Sequence, residues 1–272
     1  MVFLYMTPFN TEKNIIAHNK LAWDQQALSQ SDWSKPVSSA TIAEAKKGNW
    51  QIHLTKKAVP ESWLPKNIQG KDILCLASAG GQQAPVLAAA GANVTVFDIS
   101  EKQLDQDRFV AQRNQLNMTT IQGDMSDLSA FAADSFDYII HPISNLYVSH
   151  LDPVWQGCAR LLRMGGCLLS SFYNPVVFVF EKNKELEEQG LLRPINQLPY
   201  SDIKNLTQEA IDKKVNNQEA LIFGHTLTSQ IDGQLKAGLL LASLYEDEHP
   251  SPRFLIEKFV NTMIATKTIK LR

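Results

Sequence analysis

Cysteine is scarce in this 272-residue chain, basic charge shows no surplus, and no hydrophobic run is long enough to cross a bilayer. The three cysteines, Cys75, Cys158 and Cys167, are odd in number and show no C-x-x-C spacing. That excludes a disulfide framework, offers no metal site, and makes a reducing cytoplasm the natural setting. Lys and Arg total 26 against 28 Asp and Glu, for a net charge of −2. No overall positive field draws a phosphate backbone, so nucleic acid is not an expected partner. The longest apolar stretch, Leu168 to Phe180, is interrupted at Asn174-Pro175. It falls short of the ~20 residues that a membrane span requires. Met1 to Met6 is apolar, but no Lys or Arg precedes it, so it does not read as a signal peptide. No internal repeat or low-complexity tract is present.

What is there is ordinary globular composition, 44% hydrophobic and 20% charged. Residues 1–70 read as an N-terminal accessory or lid region. Ile15, Ile16, Leu21, Ala22 and Trp23 suggest one amphipathic helix, and Ile42 to Lys47 a short second one. Trp23, Trp33, Trp50 and Trp63 lie here, with Trp33 the preferred lid residue and stapling onto the sheet expected for at least two. From residue 71 short apolar runs alternate with helical patterns, a single domain over 71–272. Strands are predicted at Ile73 to Ala77, Asn93 to Phe97, Thr119 to Gln122, Phe136 to His141 and Cys167 to Phe172. Helices are predicted between them. Gln82 to Ala90 stops at Gly91. The next is capped at Ser100, with Gln103 completing a capping box. A third opens at Asp152-Pro153 and closes at Gly165-Gly166. Residues 174–225 read as a substrate-side insertion, within which Lys182 to Glu188 looks like a solvated helix face. Thr228 to Ala237 reads as a helix stopped by Gly238, followed by strand candidates at Leu239 to Tyr245 and Asn261 to Ile269. The expected fold is α/β: a Rossmann-like, doubly wound, mainly parallel seven-stranded sheet with an antiparallel closing hairpin and an N-terminal helical extension.

In such sheets ligands gather outside the carboxyl ends of the strands, where strand order reverses. Four segments converge there. Ala77-Ser78-Ala79-Gly80-Gly81, followed by Gln82, is a small-residue turn that lets backbone approach a ligand. Asp98 ends the second strand, with Ile99, Ser100 and Gln103 behind it, and a carboxylate there can accept from both ribose hydroxyls of an adenosine-bearing cofactor. Gly123-Asp124-Met125 follows the third strand, with Asp124 placed to accept from an adenine amine and Met125 to pack on the ring. His141-Pro142-Ile143-Ser144 follows the fourth. Taken singly, each segment also reads as structural punctuation.

A pyrophosphate calls for G-x-G-x-x-G at the helix start, which the stretch from Ala77 to Gln82 lacks. It suits an uncharged, thioether-linked amino acid better. On these residues, Lys71 to Tyr173 resembles the core of class I S-adenosylmethionine methyltransferases. It is most similar to the small-molecule branch that includes the ubiquinone/menaquinone-type enzymes. The family's D/E-x-G-x-G-x-G element falls on Cys75, Ala77, Ala79 and Gly81, so the acid and two glycines are replaced. Leu161 to Gly166 matches the turn into the fifth strand, and the final strands match the closing hairpin loosely. The resemblance implies S-adenosyl-L-methionine as methyl donor and S-adenosyl-L-homocysteine as product. It implies in-line displacement at the sulfonium methyl by an unidentified small molecule. His-Pro-Ile-Ser at strand four is not the Asn/Asp-Pro-Pro-Tyr of many amino-methylating enzymes, so nucleobase N-methylation is not expected. His141 is the leading candidate base by position, although a histidine there also reads as a backbone-bonded wall residue. Tyr147 and Tyr173 are candidate pocket residues. The alternatives are an NAD(P)-dependent oxidoreductase and a catalytically idle adenosine-binding protein.

Overall fold

The computed structural model describes residues 9, 11–31 and 34–271. Met1 to Met6 and Trp33 therefore lie outside the described residues. The sheet is built from β1 (Asp72–Leu76), β2 (Asn93–Asp98), β3 (Met118–Gln122), β4 (Phe136–His141) and β5 (Leu162–Tyr173), with β6 (Leu239–Asp247) and β7 (Met263–Lys270) closing it. The spatial order is β3-β2-β1-β4-β5-β7-β6. The first five strands are parallel, and β7 runs antiparallel to both β5 and β6. The order reverses between β1 and β4, which opens a crevice at their carboxyl ends.

Alternation along β1 divides the core. Ile73 and Cys75 face one side with Val94, Val96, Leu87 and Leu104. Leu74 and Leu76 face the other with Ile139, Leu168, Val154 and Trp155. Both faces are covered because helices pack on each: α3 (Gln83–Ala89) and α4 (Glu101–Asn114) on the first, α5 (Asp152–Leu161) on the second. The N-terminal segment is not set apart from this core. Ile52, Leu54, Trp63, Leu64 and Ile68 share one buried cluster with the first face. Trp63 is thus stapled to the sheet, where its indole donates to Ser243 Oγ at 3.2 Å.

Helix α1 (Glu12–Leu28) is capped by Thr11 and packs on α4. Its inward face differs from the expected one: Leu21 is 61% exposed, whereas Asn19 is buried with Ile15, Ala22 and Ala27. Asn19 Nδ2 donates to the carbonyls of Tyr147 and Leu221, both at 3.0 Å, and its Oδ1 accepts from Leu221 N. This one amide ties α1 to the β4 turn and to the insertion. A short α2 (Ser39–Lys46) follows.

Four local expectations are corrected. Ser100 caps α4, accepting from Gln103 N at 3.1 Å, but no capping box forms, because the Gln103 side chain is engaged elsewhere. Asp152 is the first residue of α5 rather than its cap, and Leu151 in the cap position offers no side-chain bond. Gly165 and Gly166 do not end α5. They sit inside β5, in an irregularity between the pairs Phe136–Leu162 and Tyr138–Cys167, where Gly165 adopts φ +76°. The helix expected over Thr228 to Ala237 begins as a π-turn, Thr228–Asp232, before Gly233–Lys236. Trp155 Nε1 donates to the Ser229 carbonyl there.

Residues 174–225 carry a 3-10 turn, Pro175–Phe178, three short α-helices, Lys184–Glu188, Asp202–Asn205 and Gln208–Asn216, and a two-residue ribbon joining Tyr200–Ser201 to Phe223–Gly224. Ile211, Leu221 and Phe223 form a separate small cluster with Phe9 and Ile15. The insertion and the start of the chain therefore pack on each other. Among the described residues, no helix is long and apolar enough to cross a membrane.

Candidate active site

A cavity of about 930 Å³ lies at the carboxyl ends of the strands. That is near the top of the ~300–1,000 Å³ range of ligand pockets. Its lining includes Ala77, Ser78, Ala79 and Gln82 from the first turn, Asp98 and Ile99 after β2, Gly123, Asp124 and Met125 after β3, and Pro142 and Ile143 after β4. Segments distant in sequence are gathered here because each is the loop leaving a strand of one parallel sheet.

The turn after β1 has an unusual backbone. Ala77 (φ +45°) and Ala79 (φ +58°) both adopt the left-handed conformation that favours glycine, as does Gly81 (φ +73°). These are the positions where the family element has glycine, so the shape survives substitutions that strain it. Gly80 is required by proximity, since an added Cβ would lie 2.0 Å from the Gln103 carbonyl oxygen. Gly80 and Gly81 do not line the cavity. Gly80 N donates to Gln103 Oε1 at 2.7 Å, and Gly81 N donates to Asp107 Oδ1 at 2.8 Å. Gln103 Nε2 in turn donates to Ser34 Oγ at 2.6 Å. The turn is held from behind by one face of α4. With both amides consumed, neither is left for a pyrophosphate, and the nicotinamide alternative finds no support.

Ser100 and Gln103 also sit behind the wall. Ser100 Oγ donates to Asp24 Oδ1 at 2.6 Å, which links α4 to α1. Asp98 is buried and accepts from Ser100 N at 2.8 Å. Burial, reinforced by nearby Asp24, raises its carboxyl to about 7 against the opposing pull of the Ser100 amide. Asp124 accepts from Ser126 N at 2.9 Å. Cys75, where the family element has an acid, is fully buried, and burial pushes its thiol up so that it carries no charge. Asp107 is the buried acid that lies against the turn instead, a residue that no motif marked. Burial raises its carboxyl well above the usual range, and its Oδ2 has no partner among the described residues.

His141 is fully buried and does not line the cavity. Its Nδ1 donates to the Leu76 carbonyl at 3.0 Å, and its Nε2 lies 2.7 Å from Asn145 Oδ1. Both ring nitrogens are thus occupied, Nδ1 in tying β4 to β1 and Nε2 in holding the turn that follows β4, the wall-residue arrangement. The imidazole that faces the cavity is His53, in a loop held by its own backbone amide on Gln83 Oε1 at 2.9 Å. Burial holds the His53 ring below the usual histidine value, so it is neutral at physiological pH.

Beyond β4 the cavity is walled by aromatic side chains. Tyr147 and Tyr173 line it, and Trp23 meets Tyr147 edge to face with ring centres 5.0 Å apart. Sequence reasoning missed His53, Lys182, Arg253 and Glu257, all of which line the cavity from segments without motifs, Glu257 from the short 3-10 turn Leu255–Lys258. Lys182 lies outside the helix Lys184–Glu188, which corrects the reading of residues 182–188 as one solvated face. Among the described residues, no cluster of His, Cys, Asp or Glu could hold a metal ion.

Comparison with known proteins agrees with this geometry. Residues 74–170 match the methyltransferase domain family. A Bacillus subtilis (strain 168) protein named uncharacterized methyltransferase YbaJ is 46% identical over 258 residues, spanning 94% of this chain and 99% of that one. A ubiquinone biosynthesis O-methyltransferase from Actinobacillus pleuropneumoniae serotype 7 is more distant, 32% identical over 109 residues that span 39% of this chain and 47% of that one. Among solved structures, a chain from Listeria monocytogenes assigned to the S-adenosylmethionine-dependent methyltransferases superposes with a TM-score of 0.59 at 16% identity, covering 86% of this chain and all of that one. A buried, left-handed first turn, two carboxylates facing one cavity and a near-full-length methyltransferase relative lead to one conclusion: the chain belongs to the class I S-adenosylmethionine-dependent methyltransferases, with S-adenosylmethionine as its methyl donor.

Proposed function

We propose that this enzyme methylates a small molecule enclosed in the cavity beside the cofactor. The observation that carries the reading is that one chamber holds both the adenosine-type carboxylates, Asp98 and Asp124, and an aromatic compartment walled by Trp23, Tyr147 and Tyr173. In this reading, residues 1–70 cover the chamber and residues 174–225 shape its acceptor side, since Trp23, Trp50, Phe178 and Lys182 from those segments line it. A polymer would need an open groove, and the net charge of −2 offers it no attraction. The buried free cysteines fit a reducing compartment, and we place the enzyme in the cytoplasm.

The residues present fit the donor. Ser78 Oγ is buried at the cavity wall with no nitrogen or oxygen partner among the described residues, a polar atom in want of a ligand. Asp98 would accept from the ribose hydroxyls and Asp124 from the adenine amine, with Met125 against the ring and Pro142 and Ile143 beside it. Ala77, Ser78, Ala79 and Gln82 would hold the amino-acid end. When bound, the donor supplies a methyl group already activated on a sulfonium. The protein's part is then alignment and exclusion of water. Proton removal, where an acceptor hydroxyl or acidic carbon needs it, falls to neutral His53 rather than to His141.

The test is transfer of labelled methyl from S-adenosylmethionine into cell extract separated into metabolite and macromolecular fractions. Label is expected in the metabolite fraction. Label confined to protein or nucleic acid would overturn the small-molecule reading, and its absence from every fraction would overturn the assignment of acceptor space to this cavity.

A further inference from the structure

The acceptor side of the cavity carries a charge arrangement that the methyl donor does not use. Tyr173 ends β5 and Met263 begins β7, three and four strands along the sheet from Asp98. Lys182 and Arg253 line the cavity there, and both lie over one ring: the Lys182 ammonium is 4.8 Å from the centre of Phe254, and the Arg253 guanidinium 5.5 Å from it. Arg253 also donates to Tyr173 Oη at 3.2 Å.

Two neighbouring cations are matched by carboxylates. Arg253 pairs with Glu257 at 3.2 Å, and that carboxylate is buried and also accepts from the Arg253 and Phe254 backbone amides. Lys214 pairs with buried Asp202 at 2.8 Å. Lys182 has no carboxylate within ion-pair distance among the described residues. Burial, and then the Lys214 and Arg253 cations, hold its ammonium below the usual lysine value, against the pull of Asp202 and Glu257. Its surface is nonetheless open to the cavity. Summed over Lys182, Arg253 and Glu257, one positive charge is left uncancelled, against aromatic walls where a Coulomb attraction is screened less than in water.

We propose that Lys182, with Arg253 beside it, receives a single carboxylate on the methyl acceptor, whose planar apolar body lies against Tyr147, Tyr173 and Phe178. The proposal rests on the small-molecule reading above. One free positive charge matches a monoanion, whereas a phosphate dianion would leave one negative charge over. Aromatic walls match an aromatic or otherwise unsaturated body. A carboxylate anchored there leaves the rest of the acceptor facing the half of the cavity that holds Asp98 and Asp124.

Calorimetric titration of the full chain loaded with S-adenosylhomocysteine tests this with benzoate, its neutral counterpart benzamide, and phenyl phosphate. The wild type is expected to bind benzoate at least about tenfold more tightly than benzamide and more tightly than phenyl phosphate. Lys182→Met should erase the preference for benzoate, Lys182→Arg should keep it, and affinity for S-adenosylhomocysteine should be unchanged in both, which also shows that both fold. Equal affinities for benzoate and benzamide, no binding of either at tens of millimolar, a preference for phenyl phosphate, or an undiminished preference in Lys182→Met would each overturn the proposal. Failure of S-adenosylhomocysteine to bind would instead sink the donor-site assignment, and the benzoate to benzamide ratio measured without it would still decide this one.

Discussion

Asp98 shows how one buried carboxylate couples charge to ligand. Its carboxyl is raised to about 7, so at pH 6 most of the empty protein holds a proton that the unfolded chain, with an aspartate near ~3.9, has released. The sign follows from that difference: the stability Asp98 contributes is complete below about pH 4 and is lost as pH rises towards 7. Ribose hydroxyls donate to the ionised form, so binding opposes the proton. Affinity for S-adenosylhomocysteine is expected to tighten roughly tenfold between pH 6 and pH 8 if only the anion binds. Asp98→Asn should flatten that profile and weaken binding by about 1.5–3 kcal/mol, the worth of hydrogen bonds to a charged group. A pH-independent dissociation constant would count against the assignment. Ala77 and Ala79 make a second residue-scale case. Their left-handed backbones are strained by ~1–2 kcal/mol each, less the ~0.4–1 kcal/mol by which glycine loosens the unfolded chain. Ala77→Gly and Ala79→Gly should therefore each raise stability by roughly 0.5–1 kcal/mol, or about 2–4 °C per kcal/mol in melting temperature. A loss of stability in both would show that the strain is relieved elsewhere.

At the scale of elements, α4 is the buttress of the site. Gln103 and Asp107, four residues apart and so on one face of the helix, hold the amides of Gly80 and Gly81, while Ser100 reaches Asp24 on α1. Asp107 has one oxygen on Gly81 N and one without a partner, and burial raises its carboxyl far above the ordinary range. Its cost therefore grows as pH rises above the unfolded value and ionisation is forced. Asp107→Asn keeps an acceptor for Gly81 N without the charge. It is expected to match or exceed wild-type stability at pH 8 and to fall behind as pH drops to 5. Asp107→Ala strands the amide and should cost about 1–3 kcal/mol. Chemical denaturation of both variants at the two pH values separates these outcomes, and equal losses in both would mean the side chain acts by packing alone. The capping-box reading of Ser100 and Gln103 missed this role because the three-residue spacing cannot show whether a glutamine turns back to its own helix or across to a neighbouring turn.

At the scale of the whole molecule, the N-terminal segment and the sheet share a core. Removing residues 1–70 would uncover the face that Ile52, Leu54, Trp63, Leu64 and Ile68 bury. At ~1.5–3 kcal/mol per large apolar side chain, that loss is on the order of the ~5–15 kcal/mol that keeps a domain folded. A chain beginning at residue 71 is expected to be unfolded or aggregated by circular dichroism and gel filtration. A folded, cooperative 71–272 fragment would show that the two parts are separable.

The order and type of the strands were readable because their information is local. A run such as Ile73 to Leu76 buries both faces, Gly91 stops a helix, and the alternation continues to the hairpin of β6 and β7. The loops that carry Asp98, Asp124 and Pro142 were readable for the same reason, since a parallel sheet places every such loop at one end. Only the folded chain decided which side chains face the chamber. It sealed His141 between Leu76 and Asn145, opened His53, and brought Lys182 beside Arg253 across 71 positions of sequence. Those outcomes depend on contacts between segments far apart in the chain, and local residue pattern carries no record of them.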